Sequence, residues 1–230
     1  MHFAEHGAGV PVLALHGWTP DHRLMLGCLE PLFETRPGYR RLYPDLPAMG
    51  KSPADGVASS DDVLAAVEEL VDAEIGDEPF LLVGESYGGY LYRALAHRRP
   101  HQVHGLALIC PTGTKVRAAD RTVPLFEVRR SDGAELDPAL TAQCDGMAVA
   151  RIEVRRELPA GPERGTYERP ALFLTGRQDN ITGYEDVYAL LSHYPYASFV
   201  VLDTAGHDLQ IEQPVLFNAL MGDWLDRVAQ

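Results

Sequence analysis

Along this chain, runs of four to six nearly continuous apolar residues alternate with longer stretches that are apolar on one side only. The short runs suit strands buried on both faces and the one-sided stretches suit helices covering them. The alternation therefore predicts an α/β fold with a doubly wound, mostly parallel sheet. The expected strands are Val10 to Leu15, Arg40 to Tyr43, Phe80 to Val83, Gly105 to Ile109, Ala171 to Thr175 and Ser198 to Leu202. Ser59-Ser60-Asp61-Asp62 is an N-cap cluster ahead of Val63, Leu64, Val67, Leu70 and Val71 at helical spacing, with Gly76 as the stop. Ser86 to His97 reads as a second helix, and Val215, Leu216, Leu220, Trp224, Leu225 and Val228 form the stripe of a last one. With 230 residues, 46% of them hydrophobic, one core is expected and residues 1–230 form a single domain.

Residues 112–168 break the alternation, carrying Pro124, Pro138, Pro159 and Pro162 among short helical stretches. This segment is expected to be a small helical cap inserted after the strand ending near Ile109, at the carboxyl edge where open α/β sheets bind ligands. A solvated decoration is the competing reading.

Composition excludes several function classes. Twenty Lys+Arg against 33 Asp+Glu give a net charge of -13, a field that repels phosphate backbones and anionic lipid, so neither nucleic acid nor membrane is an expected partner. Cys28, Cys110 and Cys144 lack the paired spacing of a disulfide framework or zinc knuckle. The start lacks a basic patch followed by an apolar stretch, and no apolar run approaches the roughly 20 residues of a membrane span. The expectation is a soluble cytoplasmic protein.

The strand at Phe80 runs into Gly84-Glu85-Ser86-Tyr87-Gly88-Gly89 and then a helix. A strand, a tight turn and a helix lift Ser86 to an exposed apex in a strained conformation. Side chains two residues before and after it would collide, which Gly84 and Gly88 avoid, and Gly89 allows close helix packing. Chance supplies roughly 0.06 Gly-x-Ser-x-Gly matches in a chain of this composition, so the pattern carries weight. A serine hydroxyl needs a base, and that base an orienting acid. His207, in the loop after the last strand, and Asp179, after the strand at Ala171, fit those roles at the same sheet edge. Backbone N–H groups of Tyr87 and of Trp18, the latter in a turn shaped by His16 and Gly17, are the expected donors to an oxyanion. His97, His101 and His104 have no carboxylate in a metal-binding pattern with them, and Gly50-Lys51-Ser52 fails as a phosphate loop because Asp45 stands where a glycine is required. No metal or organic cofactor is expected.

Ser86, Asp179 and His207 in this order, with His16-Gly17-Trp18 ahead of them, resemble the α/β-hydrolase superfamily over nearly the whole chain. Asp45-Leu46-Pro47-Ala48-Met49-Gly50-Lys51-Ser52 is similar to that family's Asp-Leu-Pro-Gly-His-Gly-x-Ser loop, with Ala48 and Met49 in place of Gly and His. The resemblance implies an α/β-hydrolase fold, a Ser86-Asp179-His207 triad, an oxyanion hole from Trp18 and Tyr87, and a cap. The stretch before Val10 is expected to be too short for the family's first strand. A serine at the elbow argues against the family's epoxide hydrolases and haloalkane dehalogenases, which need an aspartate there. The implied function is a serine hydrolase, carboxylesterase-like, cleaving small carboxylic esters through an acyl-enzyme, its partner a small-molecule acyl substrate. A thioesterase, a carbon-carbon bond hydrolase of small oxo acids and an aminopeptidase stay open, as does a different class, a ligand-binding receptor that turns over slowly or not at all. Phe126, Leu140, Met147 and Ile152 are candidates to line the pocket. Arg117, Arg121, Arg129, Arg130, Arg151, Arg155 and Arg156 could attract a carboxylate, against the plainer reading of a salt-bridged surface.

Overall fold

A computed structural model describes residues 1–124, 136–154 and 165–230. One seven-stranded sheet runs in the order β1-β3-β2-β4-β5-β6-β7. Its strands are β1 (Phe3–Gly7), β2 (Val10–Leu15), β3 (Tyr39–Pro44), β4 (Phe80–Glu85), β5 (Val103–Ile109), β6 (Ala171–Gly176) and β7 (Ala197–Leu202). Every neighbouring pair is parallel except β1 with β3, so the sheet is α/β and mostly parallel, as the alternation implies.

The sheet also holds a strand that the alternation does not predict, β1, which pairs antiparallel with β3 from Phe3↔Pro44 to Gly7↔Arg40. Its sequence signal is weak because it is an edge strand: only Phe3 and Ala4 are apolar and the rest of Phe3–Gly7 is exposed. The opposite edge, β7, is likewise only half-buried over most of its length.

Alternating residues of each central strand feed two separate cores. Leu13, Leu15, Leu82, Leu106, Leu108 and Phe173 pack beneath α2 (Ser60–Glu74) and α3 (Ser86–Arg98). Val12, Ala14, Leu81, Val83, Ala107 and Leu174 face the other way, toward α1 (Arg23–Phe33) and α7 (Pro214–Val228). This period-two division is what a sheet covered on both faces requires. Ser59 caps α2 in a capping box: its hydroxyl accepts from the Asp62 N–H at 3.3 Å while Asp62 accepts from the Ser59 N–H at 2.9 Å. Gly76, at φ +66, follows the helix. On the other face, fully buried Trp224 donates its indole N–H to the Pro170 carbonyl, tying α7 to the start of β6.

Between β5 and β6 the described residues form two single 3-10 turns, Ala118–Asp120 and Pro138–Leu140, and the four-residue α4 (Gly146–Val149), while the short α5 (Glu185–Tyr188) follows β6 and α6 (Leu209–Glu212) precedes α7. Backbone bonds from Asp145 N–H to the Ala48 carbonyl (2.9 Å), from Glu153 N–H to Ala58 (2.7 Å) and from Ser60 N–H to Glu153 (3.0 Å) hold this insertion on the loop after β3 and the start of α2. Among the described residues no helix is long and apolar enough to cross a membrane.

Candidate active site

β4 ends at Glu85 and α3 begins at Ser86, whose φ of +50 lies in the left-handed region that side chains disfavour. The turn is held this way by close backbone approach. A Cβ on Gly88 would lie 2.6 Å from the carbonyl oxygens of both Leu15 and His16, and one on Gly84 would lie 2.8 Å from the Gly89 nitrogen. Gly89 itself packs toward Pro111. With no side chains at these positions, the first turn of α3 nests against the end of β2, and Ser86 is presented at the carboxyl edge of the sheet.

The loops after β6 and β7 bring two distant residues to that apex. His207 Nε2 lies 3.0 Å from Ser86 Oγ, and His207 Nδ1 lies 3.0 Å from Asp179 Oδ2. The Asp179 carboxylate is fixed in turn: Oδ2 also accepts from the Thr182 hydroxyl at 2.6 Å, and Oδ1 accepts the backbone N–H groups of Ile181 (2.8 Å) and Thr182 (3.0 Å). Asp179 is fully buried and Ser86 is 7% exposed.

Burial by itself would raise the pKa of Asp179, but the charge and hydrogen bond of His207 and the bonds from Thr182 hold it well below the usual carboxylate range. Burial would lower that of His207. The Asp179 charge and hydrogen bond, followed by the charges of Glu85 and Asp208, instead carry it up to about 9. The arrangement therefore stabilises an imidazolium, the species a serine nucleophile generates when it gives up its proton.

On the facing side, the loop after β2 passes within contact of the apex. A Cβ on Gly17 would lie 2.8 Å from the Ser86 Cβ, so only glycine lets this backbone approach the hydroxyl. The ring of Trp18 meets that of Tyr87 edge-on with centroids 4.6 Å apart, which brings the two expected oxyanion residues side by side. His16 holds the loop from below. Its Nδ1 donates to the Gly17 carbonyl at 2.8 Å and its Nε2 accepts from the Leu46 N–H at 3.0 Å, which fixes the tautomer. Complete burial pushes its pKa down to about 4. In the unfolded chain it binds a proton near 6.5, so the fold loses stability as pH falls from about 6.5 to about 4. His16→Asn should remove about 3 kcal/mol of the difference in unfolding free energy between pH 7 and pH 4, read by denaturant melts at the two values.

The departures from the family's loop find places here too. Ala48 adopts φ +68, the left-handed conformation a glycine takes freely, with its methyl packed in the α2–α3 core. Met49 Sδ accepts the Thr19 N–H at 3.4 Å, bracing the loop that carries Trp18.

Of the candidate pocket residues, Phe126 lies outside the described residues. Leu140 lines a groove with Leu24, Pro31 and Phe217, between α1 and α7. Met147 is 73% exposed, whereas Ile152 is buried in the same apolar cluster as Tyr87 and Trp18. Arg121 serves neither role expected of the insertion's arginines: its guanidinium donates to the carbonyls of Ile181 (2.9 Å) and Val116 (2.7 Å). Arg117 and Arg151 are exposed, and Arg129, Arg130, Arg155 and Arg156 lie outside the described residues.

Among the described residues, two groups gather potential metal donors within 4.8 Å of one another, His2 with His22 and Asp45, and Cys110 with Asp179 and His207. Protein hydrogens already occupy the first. Asp45 accepts from His2 Nδ1 (2.8 Å), His22 Nδ1 (2.7 Å) and the backbone N–H groups of His22 (2.8 Å) and Lys51 (2.9 Å). Because the Asp45 N–H also donates to the His2 carbonyl, this cluster stitches the start of the chain onto the loop that His16 supports. The second group belongs to the Ser86 site.

A sequence model of the alpha/beta hydrolase family matches residues 12–220. This chain belongs to the α/β-hydrolase family. A pimeloyl-[acyl-carrier protein] methyl ester esterase of Nitrosomonas europaea is 26% identical to this hydrolase over 242 residues, covering 90% of this chain and 92% of that protein. A 2-hydroxymuconate semialdehyde hydrolase of a Pseudomonas species is 26% identical over 264 residues, covering 96% and 88%. In three dimensions the hydrolase is similar to an alpha/beta superfamily hydrolase of Oenococcus oeni, with a TM-score of 0.86 and 24% identity over 99% of this chain and 96% of that one.

Proposed function

We propose that this protein is a serine hydrolase of small carboxylic esters, with Ser86 as nucleophile, His207 as general base and Asp179 as the acid that orients it. The observation that carries the reading is the unbroken hydrogen-bonded chain from Ser86 Oγ through both imidazole nitrogens to a buried, fourfold-bonded carboxylate.

As an ester carbonyl approaches Ser86, the Oγ proton passes to Nε2 and the carbonyl carbon becomes tetrahedral. The negative charge on its oxygen is met by the backbone N–H groups of Trp18 and Tyr87. The imidazolium, held by Asp179 across Nδ1, returns the proton to the departing alcohol, leaving an acyl-enzyme. A water deprotonated by His207 then releases the acid. In this reading the insertion between β5 and β6 is a cap over the acyl group, its described residue Ile152 lying in the same apolar cluster as Trp18 and Tyr87, and neither metal nor organic cofactor enters any step.

The likeness to an esterase of acyl-carrier methyl esters supports ester cleavage, and that to a 2-hydroxymuconate semialdehyde hydrolase keeps carbon-carbon cleavage of oxo acids as the second reading. A screen of p-nitrophenyl esters of increasing acyl length, run beside a 2-hydroxy-6-oxo-dienoate, separates the two. Turnover of short esters with covalent labelling by a fluorophosphonate is the expected result. A protein that the probe leaves unlabelled and that cleaves neither substrate is instead a binding scaffold on the same fold.

A further inference from the structure

A second buried carboxylate, outside the Ser86–His207–Asp179 chain, lies against the same imidazole. Glu85 closes β4 directly before Ser86 and is 2% exposed. Its Oε1 lies 3.4 Å from His207 Nε2, the nitrogen that faces Ser86 Oγ at 3.0 Å. Its other oxygen is turned toward the loop after β2, where a Cβ on Gly17 would lie 2.2 Å from Oε2 and where the Gly17 N–H donates to the carboxylate. His207 is thus bracketed by acids, Asp179 at Nδ1 and Glu85 at Nε2. Asp179 already bonds Nδ1, so Glu85 is a further charge in a place where an unpaired carboxylate is costly.

We propose that Glu85 is a positioning residue and a second acid partner of His207: its carboxylate pairs with the protonated imidazole at Nε2, and that proton must leave Nε2 before Ser86 can be activated. The proton has two resting places. On Nε2 it makes an imidazolium paired with a carboxylate across 3.4 Å, and the lone pair that would accept the Ser86 proton is engaged. On Glu85 it makes a neutral carboxylic acid and leaves Nε2 free to accept from the Ser86 hydroxyl at 3.0 Å. The catalytic consequence rests on the serine-hydrolase reading, but the shared proton does not.

The groups facing the pair act in both directions, with the acids raising its hold on the proton, the Gly17 N–H lowering it, and Cys28 facing Glu85 from α1. Asp179, with Thr182 bonded to it, comes from the loop after β6, Asp208 from the loop after β7, and Cys110 from the end of β5. The Gly17 N–H comes from the loop after β2, and Arg121, acting through Asp179, comes from the insertion. Burial drives the Glu85 pKa up to about 7 against the pull of His207, with Asp208 and Asp179 adding to the rise. On the proposal the two groups titrate as one unit, with the charges of Asp179, Glu85 and Asp208 carrying His207 up to about 9.

The test is Glu85→Gln, which keeps the shape and removes the charge. Fewer negative neighbours make His207 easier to deprotonate. The acid limb of kcat/KM for p-nitrophenyl acetate should therefore move to lower pH by about one unit or more. The NMR titration of the His207 Hε1 proton should move in the same direction. A merely structural role for Glu85 would lower activity at every pH and move neither curve, and that result overturns the proposal. In the unsubstituted protein the 13C-labelled Glu85 carboxyl should titrate in step with His207. A Glu85 that titrates in the ordinary carboxylate range overturns the proposal as well, whether or not the variant folds. If the protein cleaves no ester while the two groups still titrate together, the pairing stands and the hydrolase reading falls.

Discussion

Ser86→Ala should lower kcat/KM for short acyl esters by about 10⁴-fold or more and abolish fluorophosphonate labelling, with little change in the melting temperature. In the proposed mechanism the hydroxyl is the nucleophile, whereas the fold asks only for a small side chain at that turn. Alanine meets the same left-handed φ of +50 that serine does, so the strain is common to both and cancels in the comparison. What disappears is the 3.0 Å contact with His207 Nε2 and the atom that would carry the acyl group. On the proposed mechanism the residual rate reports what the amides of Trp18 and Tyr87 and simple substrate binding supply without a nucleophile. Turnover by the alanine variant equal to that of the parent would end the assignment.

Asp179→Asn is expected to cost about 10⁴-fold in kcat, through a change of tautomer and not of shape. The carboxylate accepts four bonds, two backbone N–H groups at Oδ1 and, at Oδ2, the Thr182 hydroxyl and His207 Nδ1. An asparagine that keeps its carbonyl oxygen under the two backbone donors must turn its NH2 toward Nδ1. The imidazole then presents a bare Nδ1 to that donor and carries its proton on Nε2, pointing at Ser86. A ring protonated on that side cannot accept the serine proton. The variant also discards an acid whose pKa is held low in the folded protein, a contribution to stability present above the ordinary carboxylate range and lost as pH falls below it. Steady-state assays give the first effect, and acid melts of the two proteins give the second.

The central strands announce themselves because each is buried on both faces and so must be apolar throughout, as Val12 to Leu15 and Leu81 to Val83 are. β1 does not, because it adds backbone hydrogen bonds at an edge while leaving Glu5, His6 and Gly7 in solvent. The convergence of Ser86, Asp179 and His207 was legible because the elbow pattern and two strand ends fix where each loop must emerge. Glu85 stood in the open yet passed as a spacer between Gly84 and Ser86, since nothing in a linear pattern says that a side chain there turns toward an imidazole 122 positions later. The Asp45 cluster was hidden for a related reason. Its histidines sit at positions 2 and 22, and only the antiparallel docking of β1 brings the first within 2.8 Å of the carboxylate. Side-chain direction on a sheet edge is set by tertiary packing, which a single sequence does not display.

The left-handed serine has a cost that falls on whoever tries to toughen this scaffold. Glycine at that apex would relax the chain and remove the hydroxyl in one step, so the most comfortable residue for the bend is also a disarmed one. A selection for heat tolerance alone would therefore tend to discard the reaction at this position, and any screen for sturdier descendants has to score turnover alongside survival.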